Sequence, residues 1–109
     1  MAYKCIISMV KPNLTDQVVD SAKKAGATGA TIISASGTGA GEAKTFFGLC
    51  LDIRTDLVLF LVNETIVEPL LTAIKEAGQF SEPGTGIAMV LPVEQTAGME
   101  SQISRTKPK

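Results

Sequence analysis

The sequence PGTGIAMVLPV, residues 83–93, places two glycines and a threonine directly before an apolar segment. Such a turn leaves successive main-chain N–H groups unshielded by side chains, so it can donate hydrogen bonds to an anion. A second loop of this kind, GTGAG at residues 37–41, follows another predicted strand. Either loop alone is typical of a tight turn. Their pairing at strand ends predicts that they meet in space and hold a phosphorylated ligand.

Hydrophobic patterning predicts alternating strands and helices around these loops. The first helix is predicted to begin at Asn13, a favourable N-cap, and to stop at Gly26. Thr65 and Glu68 have the spacing of a capping box for the second helix, which ends at Gly78. The hydrophobic periodicity over residues 37–54 is weak, which indicates a loop. Strands are predicted over residues 3–10, 29–35, 57–62 and 87–93.

The order of these elements is βαββαβ. Right-handed crossovers place both helices on one face of a four-stranded antiparallel sheet, which is the ferredoxin-like arrangement of the α+β class. The third strand is apolar on both faces, and the fourth carries Ile87, Met89 and Leu91 on one side. Because two helices cover only one face, we expect a homo-oligomer whose apolar sheet faces turn inward.

Composition excludes several functional classes. The 109 residues suit one globular domain, and a net charge of −1 argues against a nucleic-acid surface. Histidine is absent, and the two cysteines lack the spacing of a metal site, so no metal is expected. No signal peptide and no membrane-spanning run are evident, so the sequence predicts a cytoplasmic protein without membrane insertion.

Beyond these patterns, the chain resembles the PII signal-transduction superfamily from residue 3 to residue 94. The resemblance lies in Lys11-Pro12 after the first strand, GAT at 29–31, the loop at 37–39, PGTGI at 83–87 and LPVEQ at 91–95. It implies a PII-like domain over residues 1–95, with a T-loop at 37–54 and a B-loop at 79–86. Residues 96–109 are predicted to form a polar C-terminal tail.

The resemblance implies a non-enzymatic homotrimer without a cofactor, which binds an adenine nucleotide (AMP, ADP or ATP) or a cyclic dinucleotide between subunits. A mobile T-loop would then signal to a target protein such as a transporter or an enzyme, with Phe46 and Phe47 as candidate contacts. The implied nucleotide-binding residues are Met9 and Val62 beside the base, Thr31 near the adenine, Gly37, Thr38 and Gly39 from the T-loop, and Gly84, Thr85, Gly86 and Ile87 from the B-loop.

The chain also departs from the family pattern. Typical members have a lysine after the B-loop glycines, where this chain has Ile87 and Ala88, and two arginines after the last strand, where it has residues 96–99, TAGM. Each lost charge-assisted hydrogen bond removes about 1.5–3 kcal/mol, which favours a ligand with fewer charges than ATP. The T-loop contains no tyrosine, so nucleotidylation of a tyrosine there is not expected.

Three alternatives stay open. A small enzyme of acylphosphatase type would need an arginine to bind phosphate after the first strand, and residues 10–13, VKPN, supply one lysine. A metal-binding trimer of related architecture is disfavoured by the absence of histidine. A scaffold trimer that has lost nucleotide binding is compatible with the departures above.

Overall fold

A computed structural model of the chain describes residues 2–36, 45–46, 49–50, 54–82 and 84–99. The 3-10 turns Pro12–Leu14 and Glu64–Ile66 each lead directly into a helix. The strands and helices are β1 (Tyr3–Val10), α1 (Thr15–Lys24), β2 (Thr31–Ala35), β3 (Thr45–Phe46), β4 (Leu49–Cys50), β5 (Thr55–Asn63), α2 (Val67–Ala77) and β6 (Gly86–Pro92).

The main sheet has the strand order β2-β5-β1-β6, and every neighbouring pair is antiparallel. This confirms the predicted ferredoxin-like α+β fold. The short strands β3 and β4 pair with each other in a separate sheet, so the weakly patterned segment contains some regular structure. The second strand begins two positions later than predicted, at Thr31, and the third is longer, extending from Thr55 to Asn63.

One face of the main sheet forms the hydrophobic core with the helices. Alternate residues of the two central strands point toward α1 and α2, as the period of two in a strand requires. Ser8 is also fully buried there, and its hydroxyl donates to the carbonyl of Val58 at 3.1 Å. The core residues are Ile6, Val10, Val58, Phe60 and Val62 from the sheet, Val18 and Ala22 from α1, and Leu70 and Ile74 from α2.

The opposite face, here called the open face, carries apolar residues in all four strands. Leu61 is 49% exposed and Ile33 is 44% exposed, although both are large hydrophobic side chains. This confirms the predicted apolar face that the helices leave uncovered. By strand register, the open face consists of Cys5, Ile7, Met9, Ile33, Leu57, Leu59, Leu61, Ile87, Met89 and Leu91.

The predicted helix caps are wrong at both helices. Asn13 lies inside the first 3-10 turn, and no side chain caps the N-terminus of α1 locally. At the second helix, Asn63 takes the N-cap position of the 3-10 turn, and its side-chain oxygen accepts from the N–H of Thr65 at 3.0 Å. The 3-10 turn shifts the start of each α-helix toward the C-terminus, so a cap inferred from helix periodicity falls within the turn.

Candidate functional site

The segment from Gly78 to Gly86, here called the glycine loop, connects α2 to β6. The N–H of Phe80 donates to the carbonyl of Lys75 at 3.0 Å, and that of Gln79 donates to the carbonyl of Glu76 at 3.2 Å. Gln79 has φ +58°, so the helix ends in a Schellman motif whose left-handed residue is not glycine. Gly84 has φ +78°, which an L side chain rarely adopts. The described residues of the loop, 78–82 and 84–86, therefore have a defined backbone conformation.

The ring of Phe80 packs over two glycines of this loop. A Cβ on Gly78 would lie 2.4 Å from Cε1 of Phe80, and a Cβ on Gly86 would lie 2.5 Å from the same atom. The Gly86 Cβ would also lie 2.4 Å from the main-chain oxygen of Met9 in β1. Neither glycine has a positive φ. Their missing side chains provide room for the ring that joins the end of α2 to the start of β6.

Thr85 was expected within the nucleotide-binding set, and its side chain points into the loop. It is 9% exposed, and its hydroxyl lies 2.6 Å from the carbonyl oxygen of Gln79 and 2.9 Å from that of Glu82. The hydroxyl can donate to only one of these acceptors at a time. The Thr85 hydroxyl is therefore engaged by carbonyl groups of its own loop.

Two further residues of the predicted site lie at the same end of the sheet. Met9 and Ile87 are directly opposite each other in the β1–β6 ladder, on the open face. Val10 is opposite both Gly86 and Asp56, so the next residue, the exposed Lys11, is also at this end. The structure therefore brings together Met9, Ile87 and the described glycines of the B-loop.

Thr31 and Val62 lie elsewhere, along a groove of about 850 Å³ at the other end of the sheet. Thr31 is exposed, whereas Val62 is 4% exposed with its side chain in the core. No Asp, Glu, Lys or Arg is present among the described residues that line the groove. The lining residues are Tyr3, Gly26, Thr28, Gly29, Ala30, Thr31, Leu59, Leu61, Val62, Asn63, Ile66 and Met99.

Sequence reasoning missed most of this groove. Tyr3 was interpreted only as a strand residue and Met99 only as part of the tail, yet both line it. The segment AGATGAT at residues 25–31 was the available signal, because its small residues leave space beside the start of β2. Nothing lies within 4 Å of where a Cβ on Gly29 would be.

Within one chain, the groove and the glycine loop lie at opposite ends of the main sheet. Tyr3 at the groove and Met9 near the loop are separated along β1 by about 20 Å at ~3.3 Å per residue. The two predicted loops begin at the same end of the sheet but at opposite edges, because β2 and β6 are its outer strands. Three strand spacings place those edges about 14 Å apart. Within one chain, the bases of the two loops do not adjoin.

Several predicted residues lie outside the described part of the chain: Gly37, Thr38, Gly39 and Phe47. Phe46 belongs to β3, where its main chain pairs with Leu49. Within the described residues, no group of three or more His, Cys, Asp or Glu side chains could hold a metal ion. The helices described here are also too short or too polar to cross a membrane.

The fold and these loops define a ferredoxin-like α+β protein with a structured glycine loop before its last strand. The family model of the nitrogen regulatory protein P-II matches residues 3–102. The chain therefore belongs to the P-II family, as the resemblance predicted.

A solved structure supports the same fold. Arabidopsis thaliana PII bound to citrate superposes with a TM-score of 0.71 at 24% sequence identity, over 92% of this chain and 85% of that chain. A search of curated proteins finds no match to this chain.

Proposed function

We propose that this chain is a PII-type regulatory protein that binds an adenine nucleotide or a similar small anionic ligand in clefts between the subunits of a homotrimer. Ligand binding shifts the segment 37–54, and a target protein reads that change, with Phe46 and Phe47 as its contacts. The protein acts as a non-catalytic sensor. A ligand shifts such a segment only by binding one of its states more tightly than the other.

The observation that carries this proposal is the separation of the groove from the glycine loop within one chain. The groove offers hydroxyl and apolar groups without charge, which suits a neutral base. The glycine loop offers main-chain N–H groups, which suit an anion. Because about 20 Å of strand divides them, a ligand that uses both must be held by two copies.

The open face supplies the reason for assembly. Large exposed apolar side chains such as Leu61 and Leu91 cover a continuous surface, and such surfaces are rare on soluble monomers. Packing copies around a closed symmetry axis buries the open face. The same packing brings the groove of one copy to the glycine loop of its neighbour.

The charges favour a ligand with few phosphates. Ile87 and Ala88 follow the loop glycines, so no cation stands directly after them. Two exposed cations lie at the same end of the sheet as Gly86: Lys11 follows β1, and Arg54 precedes β5. Two cations compensate a monophosphate or a diphosphate more fully than a triphosphate. We therefore expect AMP, ADP or cyclic di-AMP to bind more tightly than ATP.

Subunit complementation tests the shared site. Gly29→Trp should fill the groove, because a Cβ at this position has nothing within 4 Å. Gly84→Val disturbs the loop, because its φ of +78° disfavours a β-branched side chain. Neither homotrimer should bind ligand in calorimetric titrations with AMP, ADP, ATP and cyclic di-AMP. Mixed trimers refolded together should regain about a quarter of the sites, each made from one intact groove and one intact loop.

Gly29→Ala serves as the control for the groove and should bind like the wild type. Light scattering establishes the oligomeric state of every sample. A wild-type monomer, no heat from any of the four ligands, or mixed trimers that stay inactive would each contradict the proposal. The last outcome would place the complete site within a single subunit or away from these residues.

A further inference from the structure

We infer that Thr85 is a positioning residue: its hydroxyl holds the glycine loop in the conformation that presents main-chain N–H groups to the ligand. This inference rests on the proposed function, because it concerns the same loop. It gives the threonine between the two glycines a role that does not require contact with the ligand.

The hydroxyl joins the two halves of the loop. Its acceptors, the carbonyls of Gln79 and Glu82, lie in the first half, and Thr85 belongs to the second. The N–H of Glu82 also donates to the carbonyl of Gln79 at 3.0 Å, so this carbonyl is the centre of the turn. Since Thr85 is nearly buried, water competes little for its hydrogen bond. These contacts restrain the main chain at residues 84–86 before any ligand arrives.

Phe80 provides a second restraint on the loop. Its ring packs against the core cluster and fills the space over Gly78 and Gly86. The Schellman motif fixes where the ring leaves α2, and the ladder to β1 fixes Gly86. Between these anchors, the Thr85 hydroxyl adds the hydrogen bond that joins the two parts of the loop.

A loop held in its binding conformation loses less conformational entropy when the ligand binds, and its affinity is correspondingly higher. If the competent conformation were populated only in part, the apparent affinity would fall by the same fraction. The hydroxyl of Thr85 therefore sets ligand affinity through the conformation of the free protein.

Thr85→Val and Thr85→Ser separate the hydroxyl from the shape of the side chain. Valine keeps the shape and removes the donor, so we expect binding about tenfold weaker than wild type, the loss of roughly one buried hydrogen bond. Serine keeps the donor and should bind within about twofold of wild type. Calorimetry with AMP, ADP, ATP and cyclic di-AMP measures the affinities. Thr72→Val, on an exposed position of α2, is the matched control and should change nothing.

Hydrogen exchange of the free protein supplies a readout that does not depend on ligand. The amides of residues 84–88 should exchange faster in Thr85→Val than in wild type, while those of β1 stay unchanged. Unchanged exchange in Thr85→Val, or affinity equal to wild type, would overturn the inference. If wild type binds none of the four ligands, the proposed function fails, and the exchange experiment still decides the role of Thr85.

Phe80→Leu keeps the inference testable if Thr85→Val does not fold. The smaller side chain loosens the second restraint without removing a polar group. It should also accelerate exchange at residues 84–88 and weaken binding, and wild-type behaviour of this variant would count against a restrained loop.

Discussion

The glycine loop requires glycine at three positions for different physical reasons. Gly84 adopts a φ of +78°, whereas Gly78 and Gly86 have ordinary backbone angles but no room for a Cβ. The obstacle at Gly78 is the ring of Phe80, with the carbonyl oxygen of Ile74 at 3.0 Å; at Gly86 the ring is joined by the main-chain oxygen of Met9. Any substitution of Gly86 therefore perturbs the β1–β6 ladder as well as the proposed ligand site.

A double-mutant cycle tests this packing. Gly78→Ala should destabilise the wild type by about 1–3 kcal/mol because the methyl group displaces the Phe80 ring. In a Phe80→Ala background the same change should cost much less. Gly86→Ala should stay costly in both backgrounds, because the Met9 oxygen remains in place. Urea unfolding measures each free energy, and additive costs for Gly78→Ala and Phe80→Ala would show that the ring does not occupy this space.

At the scale of elements, α1 begins without a cap from its own segment. Instead, the hydroxyl of Thr15 donates to Oδ2 of Asp56, the second residue of β5, at 2.6 Å. Asp56 is opposite Val10 in the sheet, so the strand places a carboxylate near the positive end of the helix dipole. This tertiary contact joins the first residue of α1 to β5 and places a negative charge near the start of the helix.

Asp56→Ala should therefore lower the free energy of unfolding by about 1–2 kcal/mol, a loss similar to that of an N-cap. Asp56→Asn should cost less, since the amide oxygen still accepts from Thr15. Asp20→Ala, on an exposed position of α1, serves as the control and should be close to neutral. Denaturant titrations of the three variants measure the differences. Equal costs at positions 20 and 56 would contradict this account of how α1 begins.

At the scale of the whole molecule, one sheet face forms the core and the other remains apolar. Ile7 is at the centre of the open face, opposite both Leu59 and Met89. Leu59 is in turn opposite Thr31 at the groove. The surface proposed for assembly thus adjoins the groove and reaches the strand end near the glycine loop.

Leu59→Lys should break the assembly while the single subunit stays folded. A lysine there is hydrated in the lone subunit but becomes a buried, unpaired charge between copies, which costs several kcal/mol. Light scattering should report monomers for this variant, with native circular dichroism. Gln17→Lys on the exposed surface of α1 adds the same charge and should leave the oligomer unchanged. A Leu59→Lys variant that assembles like wild type would exclude the open face as the interface.

The amino-acid sequence by itself determined the order of the elements and the apolar character of both sheet faces, because strand periodicity is local. The glycine loop was equally visible, since a threonine between two glycines before a strand is a local pattern. The helix caps could not be predicted from the sequence. The 3-10 turns shift the helix starts, and Asp56 contacts α1 from a strand that is distant in the chain.

Only the tertiary structure decided where the candidate site residues lie. Strand register places Met9 beside Ile87, and the folding of three separate segments places Tyr3 and Met99 on the same groove as Thr31. It also shows that the Thr85 hydroxyl points into the loop. These relations depend on contacts between residues far apart in the chain, and no local pattern in the sequence encodes such distances.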